Sequence, residues 1–159
     1  MDKPPAAEIR ILSGGQTGVD RAGLDMAIGL GLDHGGWCPR GRLAEDGAIP
    51  ALYQLRETDS PLYAVRTEQN VIDSDATLIL YLEPLEGGTE LTRRLARRHG
   101  RPCLLIDLER PPPADTVRQW IRQAGVRVLN IAGPRESQRA GIYRLAREYL
   151  EQVFSGVGN

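Results

Sequence analysis

Three short glycine-containing stretches carry the residues best suited to chemistry. They are Ser13-Gly14-Gly15-Gln16-Thr17-Gly18-Val19-Asp20-Arg21, Glu86-Gly87-Gly88-Thr89-Glu90 and Ala132-Gly133-Pro134-Arg135-Glu136-Ser137. Each follows an apolar run and precedes a helical pattern, so each reads as a strand-to-helix turn. Glycine lets the backbone take positive φ and come close to a ligand. The helix that follows offers unpaired N–H groups and the positive end of its dipole, which suit phosphate or carboxylate. Thr17, Thr89 and Ser137 add hydroxyls at those helix starts, where each alone would also serve as an N-cap. Three such turns on one sheet edge predict a site for an anionic ligand. None is a G-x-G-x-x-G or a G-K-[ST], so ordinary dinucleotide and P-loop nucleotide chemistry lose support.

The elements that must position these turns follow from hydrophobic pattern. Four runs, Ile9–Ser13, Ala76–Leu82, Cys103–Asp107 and Val126–Ile131, are apolar without alternation, as strands covered on both faces are. Helical stripes lie between and after them: Val19, Ala22, Met26, Ala27 and Leu30; Val117, Trp120, Ile121 and Ala124; and Ile142, Leu145, Ala146, Tyr149, Leu150 and Val153. A further helix starts near Thr89, with Arg93, Arg94, Arg97 and Arg98 on one face as a basic patch, a solvated outer face or else one turned to a phosphate or an interface. Strands alternating with helices predict an α/β fold, a three-layer α/β/α sandwich with a mainly parallel central sheet, whose turns at the carboxyl edge bind ligands. The segment 33–60, rich in Gly and Pro, reads as a long irregular loop, and a loop that long in a compact domain is usually functional.

Composition bounds the rest. The 159 residues suit one domain, expected over 8–155 after a disordered tail at 1–7. Lys3 is the only lysine, which excludes a Schiff-base or pyridoxal-phosphate lysine and a phosphate-binding P-loop lysine. Cys38 and Cys103 are isolated and only His34 and His99 are present, so neither a disulfide framework nor a nitrogen- and sulfur-rich metal cage is expected. The net charge of −1 gives no field to draw the chain onto nucleic acid or an anionic membrane. Sparse thiols and no long apolar run predict a soluble, cytoplasmic protein.

Longer motifs point further. SGGQTGVDRAGLD (13–25), HGGWCPRGR (34–42), AEDGAIP (44–50), LRET (55–58), DSDATLIL (73–80), Gly87–Thr89, NIAGPRES (130–137) and Gly141-Ile142-Tyr143 resemble the molybdenum-carrier family, the circularly permuted YpsA-like branch of the SLOG superfamily. The resemblance runs from about Ile9 to Phe154 and implies a Rossmann-like fold holding a nucleotide-type or related phosphorylated ligand. Carried over, it places Gly14, Gly15, Thr17, Gly18, Asp20 and Arg21 in the first ligand loop and Gly87, Gly88, Thr89 and Glu90 in the second. Gly133, Arg135, Glu136 and Ser137 fall in the third, with Trp37 and Arg42 contributed by the long segment. Backbone amides with Arg21 or Arg135 as a fork-shaped donor would suit phosphate. Trp37 would stack on a base or pterin ring, or anchor its loop.

One departure bears on catalysis. Related phosphoribohydrolases carry PGGxGTxxE with a catalytic glutamate, and aligning Gly88-Thr89 on its GT puts Thr92 at that position. Glu90 sits two places early, about 200° away around a helix. Glu45, Asp46, Asp73 and Asp75 remain as other carboxylates, each also suited to a cap, a turn or the surface. The leading expectation is therefore a binding protein, a sensor, carrier or store for a phosphorylated nucleotide-like ligand, and not an enzyme. The alternatives are a hydrolase of nucleotide glycosidic bonds and a carrier of molybdate or the molybdenum cofactor. A homo-oligomer is expected, with Tyr53, Leu55, Leu62 and Tyr63 as apolar surface.

Overall fold

The computed structural model describes residues 9–155; the tail expected at 1–7 lies outside them. Five parallel strands form the central sheet in the order β2-β1-β9-β7-β8. They are β1 (Arg10–Leu12), β2 (Asp33–Gly35), β7 (Ala76–Tyr81), β8 (Cys103–Asp107) and β9 (Val128–Ala132). Short strands β3 (Trp37–Cys38) and β6 (Arg56–Glu57) pair in parallel, and β4 (Leu43–Ala44) with β5 (Gly47–Ala48) forms an antiparallel hairpin. The helices are α1 (Val19–Gly29), α2 (Tyr63–Asp73), α3 (Gly87–Arg98), α4 (Ala114–Gln123) and α5 (Ile142–Phe154).

Crossover handedness decides the layers. The steps β1→β2 and β8→β9 run one way along the sheet, and β2→β7 and β7→β8 run the other. Right-handed crossovers then put α1 and α4 on one face and α2 and α3 on the opposite face. The packing agrees: α5 joins α1 and α4, and α2 packs on α3. The fold is thus α/β/α with a parallel sheet, as the alternating strands and helices predicted, and Rossmann-like, as the family resemblance implied.

The two faces differ in what they bury. Under α1, α4 and α5 lies one large core, with Ile11, Val19, Met26, Leu78, Leu129, Leu150 and Phe154 almost fully enclosed. Under α2 and α3 the apolar cluster is only Val71, Leu95 and Ala96, edged by Leu91 and Cys103. The inward positions of α2 are instead Thr67, Asn70 and Val71. Asn70 takes the Trp37 N–H at 2.8 Å and gives its amide to the Trp37 carbonyl at 3.0 Å, so a polar side chain does the work of a strand partner.

The long segment is not irregular throughout. It contains β2 and four short strands, and its Cys38, Ile49 and Tyr53 form a small core with Leu24 of α1. The Arg42 guanidinium holds it together, donating to the carbonyls of Ile49, Pro50, Tyr53 and Leu55 at 2.8–3.3 Å. Tyr53 and Leu55 do not form the expected apolar surface. Tyr53 is buried with its hydroxyl on Asp25, and Leu55 packs in the small core. Leu62 and Tyr63 are exposed.

Candidate functional site

Crossovers leave β1 and β7 in opposite directions with β9 between them, so a crevice opens above the carboxyl ends of these strands. The three glycine turns meet there. A cavity of about 140 Å³ is lined by Gln16 and Asp20 from the first turn, by Gly88, Thr89 and Thr92 of α3, and by Gly133 and Arg135 from the third turn. The fourth wall is the start of α2, with Tyr63, Arg66 and Thr67.

The turns are not equivalent. In the first, the amides are largely spent at home: Gln16 N–H bonds the Asp20 carboxylate at 3.2 Å and Thr17 N–H bonds the Gln16 side-chain carbonyl at 3.3 Å. Val19 N–H, at the start of α1, is held by the Pro134 carbonyl at 3.2 Å. Gly18, at φ 79°, permits this clasp, since a Cβ there would lie 2.8 Å from the Glu136 nitrogen. Glu136 is also internal: its carboxylate takes the N–H groups of Gly141 and Tyr143 and so caps α5. The second turn is open. No side chain caps α3, and a Cβ on Gly87 or Gly88 would meet nothing within 4 Å. The exposed first turn of a helix is an anion-receiving surface.

Arg66 faces that opening. A Cβ on Gly14 would collide with its guanidinium, which therefore lies directly on the first turn. Its charge is poorly matched. The Asp20 carboxylate is 3.5 Å from Nη1, beyond the usual N–H···O distance, and the buried Nε has no hydrogen-bond partner among the described residues. The Tyr63 ring, 5.8 Å from the guanidinium, adds a cation–π contact. A buried donor left unmet costs about 1–3 kcal/mol, so the position of this guanidinium is costly by itself. Asp20 itself is fully enclosed. Burial pushes its carboxyl up to about 6, against the opposing pull of Arg66, the Gln16 amide and Arg21.

Other predicted residues stand elsewhere. The Arg21 guanidinium forks onto Asp46 at 3.0 Å and bonds the Gly15 carbonyl. Thr17 and Ser137 give their hydroxyls to Glu45, whose N–H returns to Gln16. Partial burial opposes ionisation at Glu45, but the hydrogen bonds from Ser137 and Thr17 outweigh it and hold the carboxyl below its ordinary range. Glu90 is paired with Arg93 on the outside of α3. Thr92 lines the cavity, but its hydroxyl bonds the Gly88 carbonyl of its own helix. Arg42 clamps the long segment and does not reach the cavity. Trp37 lies in a different hollow with Arg10, Arg56 and Asp73, its indole N–H on Asp73 at 2.7 Å. Asp75 accepts the amides of Arg127 and Val128 and so anchors β9.

Sequence reading overlooked Arg66, because α2 turns a polar face inward and an apolar-stripe search passes over it. The signal was there in another form. Tyr63, Arg66, Thr67 and Asn70 recur at helical spacing. Among the described residues no group of three His, Cys, Asp or Glu side chains could hold a metal ion, and no helix is long and apolar enough to cross a membrane.

Comparison with known proteins agrees with this fold. The model of the circularly permutated YpsA SLOG family matches residues 11–154. A crystal structure of a protein described as a "putative molybdenum carrier protein", from Syntrophus aciditrophicus SB, superposes with a TM-score of 0.89 at 46% identity. The match covers 96% of this chain and 97% of that one. A search of curated proteins finds no match. The chain belongs to the circularly permuted YpsA SLOG family.

Proposed function

We propose that this chain is a binding protein for a small phosphorylated, nucleotide-like ligand, acting as sensor, carrier or store. The phosphate sits between the start of α3 and the Arg66 guanidinium. Arg66 carries this reading: a largely enclosed cation, poorly matched by Asp20, lining the same cavity as an uncapped helix start. A cavity of about 140 Å³ is well below the ~300–1,000 Å³ of whole-ligand pockets, so it suits one tetrahedral oxyanion. The rest of the ligand extends past the more exposed lining residues, Tyr63 and Gln138.

A second reading is molybdate, alone or within its cofactor. It is supported by the description of the similar protein and by the same cavity, which offers any tetrahedral oxyanion the same donors. A glycosidic-bond hydrolase would have to rest on Asp20, the carboxylate that lines the cavity, since the α3 position is Thr92. The two free thiols support a cytoplasmic setting.

Two measurements test the reading. Calorimetric titration of inorganic phosphate and of molybdate into the protein and into Arg66→Gln should show at least a ~10-fold loss in the variant, about 1.4 kcal/mol. Equal affinities would remove Arg66 from the site. Native mass and ultraviolet spectra of the protein purified from its own host then distinguish a nucleotide, a pterin and bound molybdenum.

A further inference from the structure

We propose that the β4–β5 hairpin occupies a second anion subsite, which a ligand with two or more linked phosphate groups takes over by displacing it. This rests on the phosphate reading above and extends it to the class of ligand. The side-chain donors predicted for an anion in the first and third turns are taken up by two adjacent carboxylates at the hairpin tip. Glu45 receives the Ser137 N–H at 3.2 Å, the Ser137 and Thr17 hydroxyls, and the Arg135 charge at 4.0 Å. Asp46 receives both terminal nitrogens of Arg21 at 3.0 Å. One backbone amide, two hydroxyls and two guanidiniums form the kind of donor set that holds a phosphate.

The subsite adjoins the cavity. Gln16 and Arg135 line the cavity and also contact Glu45, Gln16 through its carbonyl oxygen, 2.8 Å from the Glu45 nitrogen. The hairpin is lightly held. Its strands are two residues each, Gly47 and Ala48 are exposed, Leu43 is 46% exposed and Asp46 lies half in solvent. Little apolar burial ties it down, and exposed ion pairs contribute weakly. A phosphate can accept from the donors that Glu45 and Asp46 now occupy, with a charge of up to about −2 in place of the two carboxylates. The Glu45 N–H bond to Gln16 is given up on displacement.

The test uses inorganic phosphate, pyrophosphate and tripolyphosphate as probes, titrated into the protein, Glu45→Gln and Gly88→Asp. Glu45→Gln keeps the shape and removes the competing charge. It should tighten pyrophosphate or tripolyphosphate by at least ~10-fold and leave phosphate within about twofold, with thermal melts as the folding control. Hydrogen exchange at residues 43–48 should speed up when the polyphosphate is added, the opposite of a lid that closes. If neither polyphosphate binds Glu45→Gln more tightly, or exchange at 43–48 slows or stays constant, the displaced hairpin is refuted. The α3 site would still stand provided that Gly88→Asp abolishes phosphate binding. If Gly88→Asp leaves phosphate affinity unchanged, the phosphate reading fails first, whatever Glu45→Gln does.

Discussion

Gly88→Asp separates binding from folding. Gly88 is the second residue of α3, lines the cavity and has open space where a Cβ would stand. Replacing glycine within a helix gains about 0.5–1 kcal/mol, and a carboxylate in the first turn gains another ~0.3–1 kcal/mol from the dipole. The variant should therefore melt higher, by roughly 2–4 °C for each kcal/mol in a domain of this size. Anion binding should move the other way. Two unit charges ~4 Å apart interact by about 4 kcal/mol at an effective dielectric of ~20, and the added carboxylate also covers the amides the ligand needs. At tenfold for each 1.4 kcal/mol, phosphate affinity should fall at least ~100-fold. Gly88→Ala is the control: it should keep the part of the stability gain that comes from replacing glycine, about 0.5–1 kcal/mol, and hold the affinity within a few fold. Differential scanning fluorimetry and calorimetric titration with phosphate read the two quantities on the same samples. A Gly88→Asp protein that melts higher and binds phosphate unchanged would refute the site. Gly15→Asp would not serve, because Gly15 has φ 80° and a Cβ there would press on Leu55 and Ile49.

The folded carboxyl of Asp20 titrates near 6 against an ordinary 3.8, so the native state holds the proton more tightly than the unfolded chain. Stability is then lost as pH rises from about 4 to about 6, by up to about 3 kcal/mol, and Asp20→Asn should be free of that component. Denaturant melts of both proteins at about pH 4.5 and about pH 7.5 test this; parallel changes would refute it. Arg42→Ala strips a charged donor from four carbonyls. It should cost about 2–3 kcal/mol, or roughly 5–10 °C, without lowering phosphate affinity in the folded fraction. Trp37→Phe should likewise leave phosphate affinity unchanged, since its hollow shares no lining residue with the cavity; a loss in titration would join the two sites. Leu52, Leu62 and Val65 are all more than 40% exposed, and we propose them as the contact with a second copy. Light scattering should give a multimer that Leu62→Glu dissociates, and a monomer at every micromolar concentration would refute this.

The sequence alone determined four of the five strands of the sheet, four of the five helices and the three turns. The reason is local: Ala76–Tyr81 and Val128–Ala132 are buried on both faces, so their apolar runs are unbroken, and α5 buries one stripe at a 3.6-residue period. Strand β2 escaped, because Asp33-His34-Gly35 is a three-residue edge strand carrying no apolar signal. Only the tertiary structure decided which turn is open. Thr17, Arg21 and Ser137 are the right residue types for an anion, yet each is satisfied by a carboxylate at least 25 residues away along the chain. Hydrogen-bond supply is settled by whichever acceptor arrives, which spacing does not encode. Arg66 is the converse: α2 turns polar side chains inward, and a largely enclosed guanidinium meets Gly14 without a full partner.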